Sequence, residues 1–338
     1  MAKIRPFGLE QPFTSPRHSE RFRQMPYMLP MGRGDSYGHH GEILQGAIPS
    51  SAPGIPRSVL VTLPCRRYRV TVRFFPAAGN RLQTIPAVRP KAARAALLTL
   101  SCLGFSGVGG LLFLNGNIPA GQGLGSSSAD VTATIRAVAD ACGQSLAPER
   151  IARLAVAAET ASDPLMFDGT ALVFAQREGV VVERFDNPLP PMELLSVQDP
   201  ANGNGIDTLS GTPRHYDRRE MARCEALLEK LRDGIARSDA GLVGSVATAS
   251  AHLNQRFVPK PRLDELEAVG RHHGALGVQV AHSGTVMGLL FPPGGQEAIV
   301  AAKRQLARRG WKVDLPDPPT SAYAIAQDVE DGATPFSH

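Results

Sequence analysis

The chain has 338 residues, 43% of them hydrophobic and 20% charged, with a formal net charge of +5. That length can bury a core of one or two domains, and no apolar run is long enough to span a bilayer. Basic residues are scattered and do not interleave with aromatics, which argues against nucleic acid and leaves anionic small molecules as partners.

The four cysteines, Cys65, Cys102, Cys142 and Cys224, are far apart and form no C-x-x-C pair. A zinc ribbon and a compact disulfide framework are excluded, and a reducing, cytoplasmic compartment is expected. Cys102, Cys142 and Cys224 sit in apolar or helical patterns and are expected to be buried.

Residues 1–26 are polar, without a signal core, and read as an extended arm; residues 329–338 read as a tail. Gly32 to Gly46 is glycine-rich and polar, then apolar at Ile43 and Leu44, the pattern of a loop entering a short strand. Within it, His39 and His40 read as exposed loop histidines, since a metal site needs further ligands and none is near in sequence.

Strands are predicted at Val59–Leu63 and Tyr68–Phe75. The second alternates Tyr68, Val70, Val72 and Phe74 with Arg67, Arg69, Thr71 and Arg73, so the arginines form a solvated face. A helix is predicted over Lys91–Leu103 and a short strand at Leu111–Leu114. That strand delivers the chain to Asn117-Gly-Asn-Ile-Pro-Ala-Gly-Gln-Gly-Leu-Gly-Ser-Ser-Ser-Ala-Asp130. Glycines at 121, 123 and 125 precede serines at 126, 127 and 128, and Val131, Ile135, Val138 and Cys142 then recur at helical spacing. Glycines let several backbone N–H groups converge, and a helix start adds unpaired N–H groups and partial positive charge. The stretch is therefore an anion cradle suited to a polyphosphate. It is neither a Walker loop nor the dinucleotide G-x-G-x-x-G.

Ala147-Pro148-Glu149 starts the next helix, with Ile151, Leu154, Ala155 and Ala158 on one face. It ends near Glu159-Thr-Ala-Ser-Asp163-Pro164, followed by Phe167-Asp168-Gly169 and a strand at Ala171–Ala175. Three carboxylates thus crowd one boundary. Helix-end and turn chemistry explains them on their own; beside a phosphate loop they also suit phosphoryl transfer to an alcohol, which needs Mg²⁺ ligands and a carboxylate at the hydroxyl.

The proline-rich Asn187 to Pro191 marks a domain boundary. Beyond it come a strand at Glu193–Val197, a polar loop at Asp199–Gly211, and helices carrying Met221 to Ile235, Ala240 to Leu253, and Leu263 to Val269. Two apolar strands then flank Ala281-His282-Ser283-Gly284-Thr285. A helix at Gln296–Arg308 and a strand at Trp311–Asp314 follow.

Three of these segments carry a resemblance. Pro119-Ala-Gly-Gln-Gly-Leu-Gly-Ser-Ser-Ser-Ala129 resembles the phosphate loop of the GHMP kinases (galactose, homoserine, mevalonate and phosphomevalonate kinases), written P-x-x-x-G-L-G-S-S-A-A. Gly41-Glu-Ile-Leu-Gln-Gly46 resembles the G-E-L-x-Q-G signature of that family's L-threonine kinase branch, although His39-His40 replaces the small residues and cysteine usual before it. Ala281-His-Ser-Gly-Thr285 with the following Val-Met-Gly-Leu-Leu-Phe291 is similar to the branch's third motif.

The resemblance implies an α+β GHMP kinase fold: a ribosomal protein S5 domain 2-like N-terminal domain at 27–187 and a ferredoxin-like C-terminal domain at 188–328. It implies ATP and Mg²⁺ as cofactors. Pro119, Gly121, Gly123, Leu124, Gly125, Ser126, Ser127 and Ser128 would hold ATP, and Ser127 (or Ser126) with Glu159 would hold Mg²⁺. Gly41, Glu42, Gln45, Asp207, Thr208, His282, Ser283, Gly284 and Thr285 would shape the substrate pocket. The branch has E-P-T-D before F-D-G; here Glu159-Thr-Ala-Ser-Asp163 is one residue longer, so Asp163 is the expected base and Asp168 the reserve.

The implied acceptor is a small hydroxy amino acid, L-threonine first, whose phosphorylated product the branch uses in cobalamin synthesis. Kinases of L-serine or L-homoserine, and a silent metabolite-binding regulator of the same fold, stay open. A diphosphomevalonate decarboxylase-like activity is disfavoured by the third motif. No membrane or nucleic-acid partner is expected, and a homodimer is left open.

Overall fold

The computed structural model describes residues 29–50, 55–201, 215–281 and 284–314. The expected arm at 1–26 and tail at 329–338 lie outside them, as do Asp207, Thr208, His282 and Ser283.

The first half begins with β1 (Gly32–Ile48), β2 (Arg57–Ala78), β3 (Leu82–Ile85), α1 (Pro90–Cys102) and β4 (Val108–Gly116). It continues with α2 (Ser126–Ala141), α3 (Pro148–Glu159), β5 (Leu172–Ala175) and β6 (Val180–Arg184). The second half holds β7 (Glu193–Gln198), α4 (Arg218–Ala236), α5 (Ala240–Leu253), α6 (Leu263–His272), β8 (Gly277–Val280), β9 (Val286–Phe291), α7 (Gln296–Arg308) and β10 (Lys312–Val313). The chain is thus α+β throughout.

The strands form one sheet in the order β10-β7-β9-β8-β1-β2-β4-β3, with β5 attached to β2 and β6 to β5. The long antiparallel β1–β2 ladder runs from Gly32 opposite Phe74 to Ile48 opposite Arg57, and shifts register three times between Tyr37 and Leu44. Glu42 opposite Val280 joins β1 to β8 and so links the two halves.

The glycine-rich segment at 32–46 is therefore strand, where the sequence suggested a loop. The reason lies in packing: a Cβ at Gly32 would stand 2.0 Å from the Ala137 carbonyl oxygen, and one at Gly34 would stand 2.1 Å from that of Ala133. Glycine here lets β1 lie against the backbone of α2. The strands expected at Val59–Leu63 and Tyr68–Phe75 are parts of the single β2, and Arg67, Arg69 and Arg73 are exposed on it as expected. Strands β3 and β6 carry too little alternation to have been read.

Burial of apolar side chains stabilises each layer. Val72, Phe74 and Leu112 of the sheet pack on Ala133 and Ala137 of α2, and Ile135 and Ile151 join Phe167 and Phe174 in a neighbouring cluster. Leu195, Val278, Leu289 and Phe291 pack on Leu266, Ile299 and Leu306. Cys142 and Cys224 are buried as expected, but Cys102 is exposed at the end of α1, where the helix rises out of the core and Arg150 reaches its Sγ at 3.0 Å.

Candidate active site

The glycine loop bends through left-handed backbone at Gly121, Gly123 and Gly125, with φ of 74°, 83° and 74°. Any other residue would be strained there. Gly125 is the N-cap of α2 and supplies no side-chain cap, so the three serines occupy the first turn and their hydroxyls are free for other partners.

The strand that carries the second motif and the end of the third motif both grip this loop. From β1, the His39 N–H donates to the Leu124 carbonyl at 3.2 Å. From the start of β9, the N–H groups of Thr285 and Val286 donate to the Gln122 carbonyl at 3.0 and 3.2 Å. Contact is close enough to require glycine: a Cβ at Gly284 would fall 2.0 Å from that same carbonyl oxygen, and one at Gly123 would fall 2.4 Å from Ala281 Cβ. The buried Lys260 donates from Nζ to the Gly284 carbonyl and props the third motif from behind.

Two serines of the first turn meet two of the three carboxylates. Ser127 Oγ donates to Glu159 Oε2 at 2.7 Å, and Ser128 Oγ donates to Asp163 Oδ2 at 3.1 Å. The Asp163 N–H returns a bond to Ser128 Oγ at 3.1 Å. Glu159 is almost fully buried and its Oε1 has no hydrogen-bond partner among the described residues. Burial pushes its pKa up to about 7, against the pull of the Ser127, Ser162 and Ser128 hydroxyls. A buried carboxylate oxygen without a partner, beside a serine hydroxyl at a helix start, is the donor set of a hard divalent cation. The Ser127–Glu159 pair therefore fits Mg²⁺.

Asp163 has different surroundings. Its Oδ2 stands 3.1 Å from His39 Nε2, with the ring N–H off the line to the oxygen, so the contact is an ion pair more than a directed hydrogen bond. Burial opposes charge at both groups. At Asp163 the charge and hydrogen bonding of His39, the Ser128 hydroxyl and the more distant Lys91 outweigh burial and hold the carboxyl below its ordinary value. At His39 the Asp163 carboxylate, with help from Glu42 and the Gly41 carbonyl, lifts the imidazole to about 9.

The two histidines are both buried, contrary to the sequence reading, because they sit on a central strand. His40 is occupied by Gln279 Oε1 at 2.7 Å and Ser196 Oγ at 2.8 Å, a bridge between the halves. His39 gathers with Glu42 and Asp163 so that one potential ligand atom from each lies within 4.8 Å of the others. These are the further ligands that sequence spacing could not show. A metal there would first have to displace the proton that pairs His39 with Asp163.

Asp168 is not brought to this cluster. Its Oδ2 accepts from Arg136 Nη2 at 2.7 Å, and its side chain is half exposed. Gly41 turns at φ of 62° beside the Gln279 amide, and Glu42 and Gln45 are buried next to it. Two cations carry no sequence signal: Arg89, which pairs at 3.5 Å with Asp130 on α2, and Lys91, whose charge reaches Asp163. Only long-range topology unites them with the loop.

Residues 90–175 match the description "GHMP kinases N terminal domain", and residues 231–308 match "GHMP kinases C terminal". An L-threonine kinase of Citrobacter freundii is 30% identical over 175 residues, which cover 52% of this chain and 59% of that protein; the chain thus spans less than two thirds of that relative's length. A homoserine kinase of Moorella thermoacetica is 27% identical over 240 residues, covering 69% of this chain and 80% of that protein. Among solved structures, a complex of MDDEF with MVAPP, AMPPCP and magnesium superposes with a TM-score of 0.63 at 14% identity, over 86% of this chain and 98% of the other, a likeness of fold. With both family domains present in order, on an α+β frame whose glycine loop is gripped from either half, the chain belongs to the GHMP kinase superfamily.

Proposed function

We propose that the protein is an ATP-dependent phosphotransferase acting on the side-chain hydroxyl of a small amino acid, with L-threonine as the first acceptor. The observation that supports this most is the pair of parallel contacts at the start of α2: Ser127 with Glu159, and Ser128 with Asp163, side by side. One carboxylate suits a cation and the other suits a hydroxyl.

In this reading the N–H groups of residues 121–128 and the α2 terminus receive the triphosphate of ATP. Ser127 and Glu159 would hold Mg²⁺, which when bound would supply charge neutralisation on the phosphates. Asp163, kept ionised by His39, accepts a hydrogen bond from the acceptor hydroxyl, orients it, and takes its proton as the new O–P bond forms and the bond from the γ-phosphorus to the bridging oxygen breaks, that oxygen leaving with ADP. Asp168 serves the fold through Arg136. Residues 27–187 carry the nucleotide and residues 188–328 complete the acceptor pocket. The place of work is the cytoplasm, which suits the free cysteines.

L-Homoserine is the second reading, favoured by the broad match to the Moorella homoserine kinase. A panel of L-threonine, L-serine, L-homoserine and mevalonate with Mg-ATP tests the proposal by ADP release. The largest kcat/KM should fall on L-threonine. ATP binding without ADP from any acceptor would overturn the enzymatic reading in favour of a metabolite-binding regulator.

A further inference from the structure

We propose that His39 is a positioning residue for Asp163: its imidazole, anchored at Nδ1, sets its Nε2 edge against carboxylate oxygen Oδ2 as an ion pair and leaves Oδ1 for the acceptor hydroxyl. The inference deepens the kinase reading and rests on Asp163 as the group that meets the acceptor.

Three observations fix the ring. Its backbone is tied to the phosphate loop by the bond to the Leu124 carbonyl. Its Nδ1 lies 3.1 Å from the Gly41 carbonyl oxygen, which can only accept, so Nδ1 carries a hydrogen. Its edge lies against Gly125, where a Cβ would come within 2.5 Å of Cδ2 and 2.9 Å of Nε2. The residue is 2% exposed and its side chain 3%, so the ring is enclosed by protein.

The protonation state follows from the partners. With Nδ1 bearing a hydrogen, a neutral ring would place an Nε2 lone pair, unrelieved by any proton, 3.1 Å from the Asp163 carboxylate oxygen. Two electron-rich atoms at that distance in a buried site repel, so Nε2 also carries a hydrogen and the pair is imidazolium with carboxylate. Glu42, buried on the same strand, adds to the field favouring that charge.

The contacts of Asp163 are one-sided. His39 Nε2 and Ser128 Oγ both meet Oδ2. Oδ1 carries neither, and the side chain keeps 22% of its exposure, so that oxygen is the one a small alcohol can reach. His39 makes no bond to substrate and moves no proton in the reaction. It sets the direction of a carboxylate that Ser128 alone would leave free to swing. The neighbouring His40 has no such role, since its nitrogens are taken by Gln279 and Ser196.

Steady-state kinetics of the full chain with Mg-ATP and L-threonine, or whichever acceptor the panel selects, test this. His39→Gln should lower kcat by about 10²-fold, with KM for Mg-ATP changed by less than about twofold. His39→Lys restores a cation and should recover at least about tenfold of that loss. In the Asp163→Asn background, His39→Gln should change residual turnover by less than about threefold, because the two residues act as one unit.

Should the single glutamine variant fail to fold, the double variant decides, since it buries no unpaired carboxylate and is read against Asp163→Asn alone. A glutamine variant with wild-type kcat, a lysine variant without recovery, or a double variant well below Asp163→Asn would each overturn the positioning role. Wild-type protein that releases no ADP would overturn both this role and the kinase reading. An active wild type matched by its glutamine variant would overturn this role alone.

Discussion

Asp163 and Asp168 lie five residues apart between α3 and β5, and they are carboxylates of different kinds. Asp163 faces inward, shared by a buried imidazole and a serine in the first turn of α2. Asp168 faces outward, in a half-exposed ion pair with Arg136, whose other nitrogen binds the Asp35 carbonyl at 2.7 Å. The turn between them, closed by the Phe167 N–H to the Pro164 carbonyl at 3.1 Å, sends one side chain to each side of the wall. Sequence distance therefore says little about role. What matters is which side chain the topology delivers to the cradle.

The largest test of this contrast is Asp163→Asn, which keeps the shape and removes the charge. Turnover should fall by about 10³-fold or more while ATP affinity, read by calorimetry, stays within about threefold. Loss of ATP binding instead would move Asp163 from the acceptor side to the nucleotide side.

Next in size is Glu159→Gln. It should lower kcat by about 10²-fold and raise the Mg²⁺ concentration needed for half-maximal rate, and Mn²⁺ should recover part of the loss. A variant with unaltered Mg²⁺ dependence would take the cation away from the Ser127–Glu159 pair.

Smaller effects should appear in stability against pH, with one sign for the raised groups, His39 and Glu159, and the opposite sign for the lowered Asp163. His39 is raised from 6.5 to about 9, so its contribution is complete below 6.5 and lost as pH rises through about 9. Asp163 is lowered from 3.8, so its share is complete above that value and lost in stronger acid. Glu159 runs opposite to Asp163 and with His39: raised from 4.5 to about 7, the folded protein holds a proton that the unfolded chain has released, and stability falls as pH rises between those values. Melting curves of the nucleotide-free protein should show that fall between pH 4.5 and about 7. It should vanish in Glu159→Gln, and the difference between wild type and His39→Gln should shrink above about 9.

The smallest effect belongs to Asp168→Asn. An ion pair this exposed is worth about 0.5 kcal/mol, so the variant should melt slightly earlier and keep kcat within about threefold. If it abolishes turnover while Asp163→Asn does not, the two roles are exchanged.

Much of this was legible in residue order. The loop at 119–128 announces itself because left-handed glycines and a helix start are local events. Most helices were placed within a residue or two by apolar spacing, α2 and α5 among them. The burial of His39 was not legible, because glycine has two uses. Gly32 and Gly34 read as loop residues, but they are there to admit the α2 backbone, and the strand they belong to carries His39 into the core. Nor could spacing reveal that residue 39 meets residue 163, or that Cys102 lies just past the last buried turn of α1. Contacts across so many residues are set by the order of strands in the sheet.

The Gln122 carbonyl ends up with two donors from the far half of the chain, Thr285 and Val286. Its neighbour Leu124 takes one from β1. The cradle is thus joint property of three distant segments, and neither half can own it. A fragment ending near residue 190 would contain every glycine and serine of the loop and still lack the clasp that shapes it. Two fragments expressed separately should each bind nucleotide poorly, and mixing them should restore the clasp only where β8 docks again on β1.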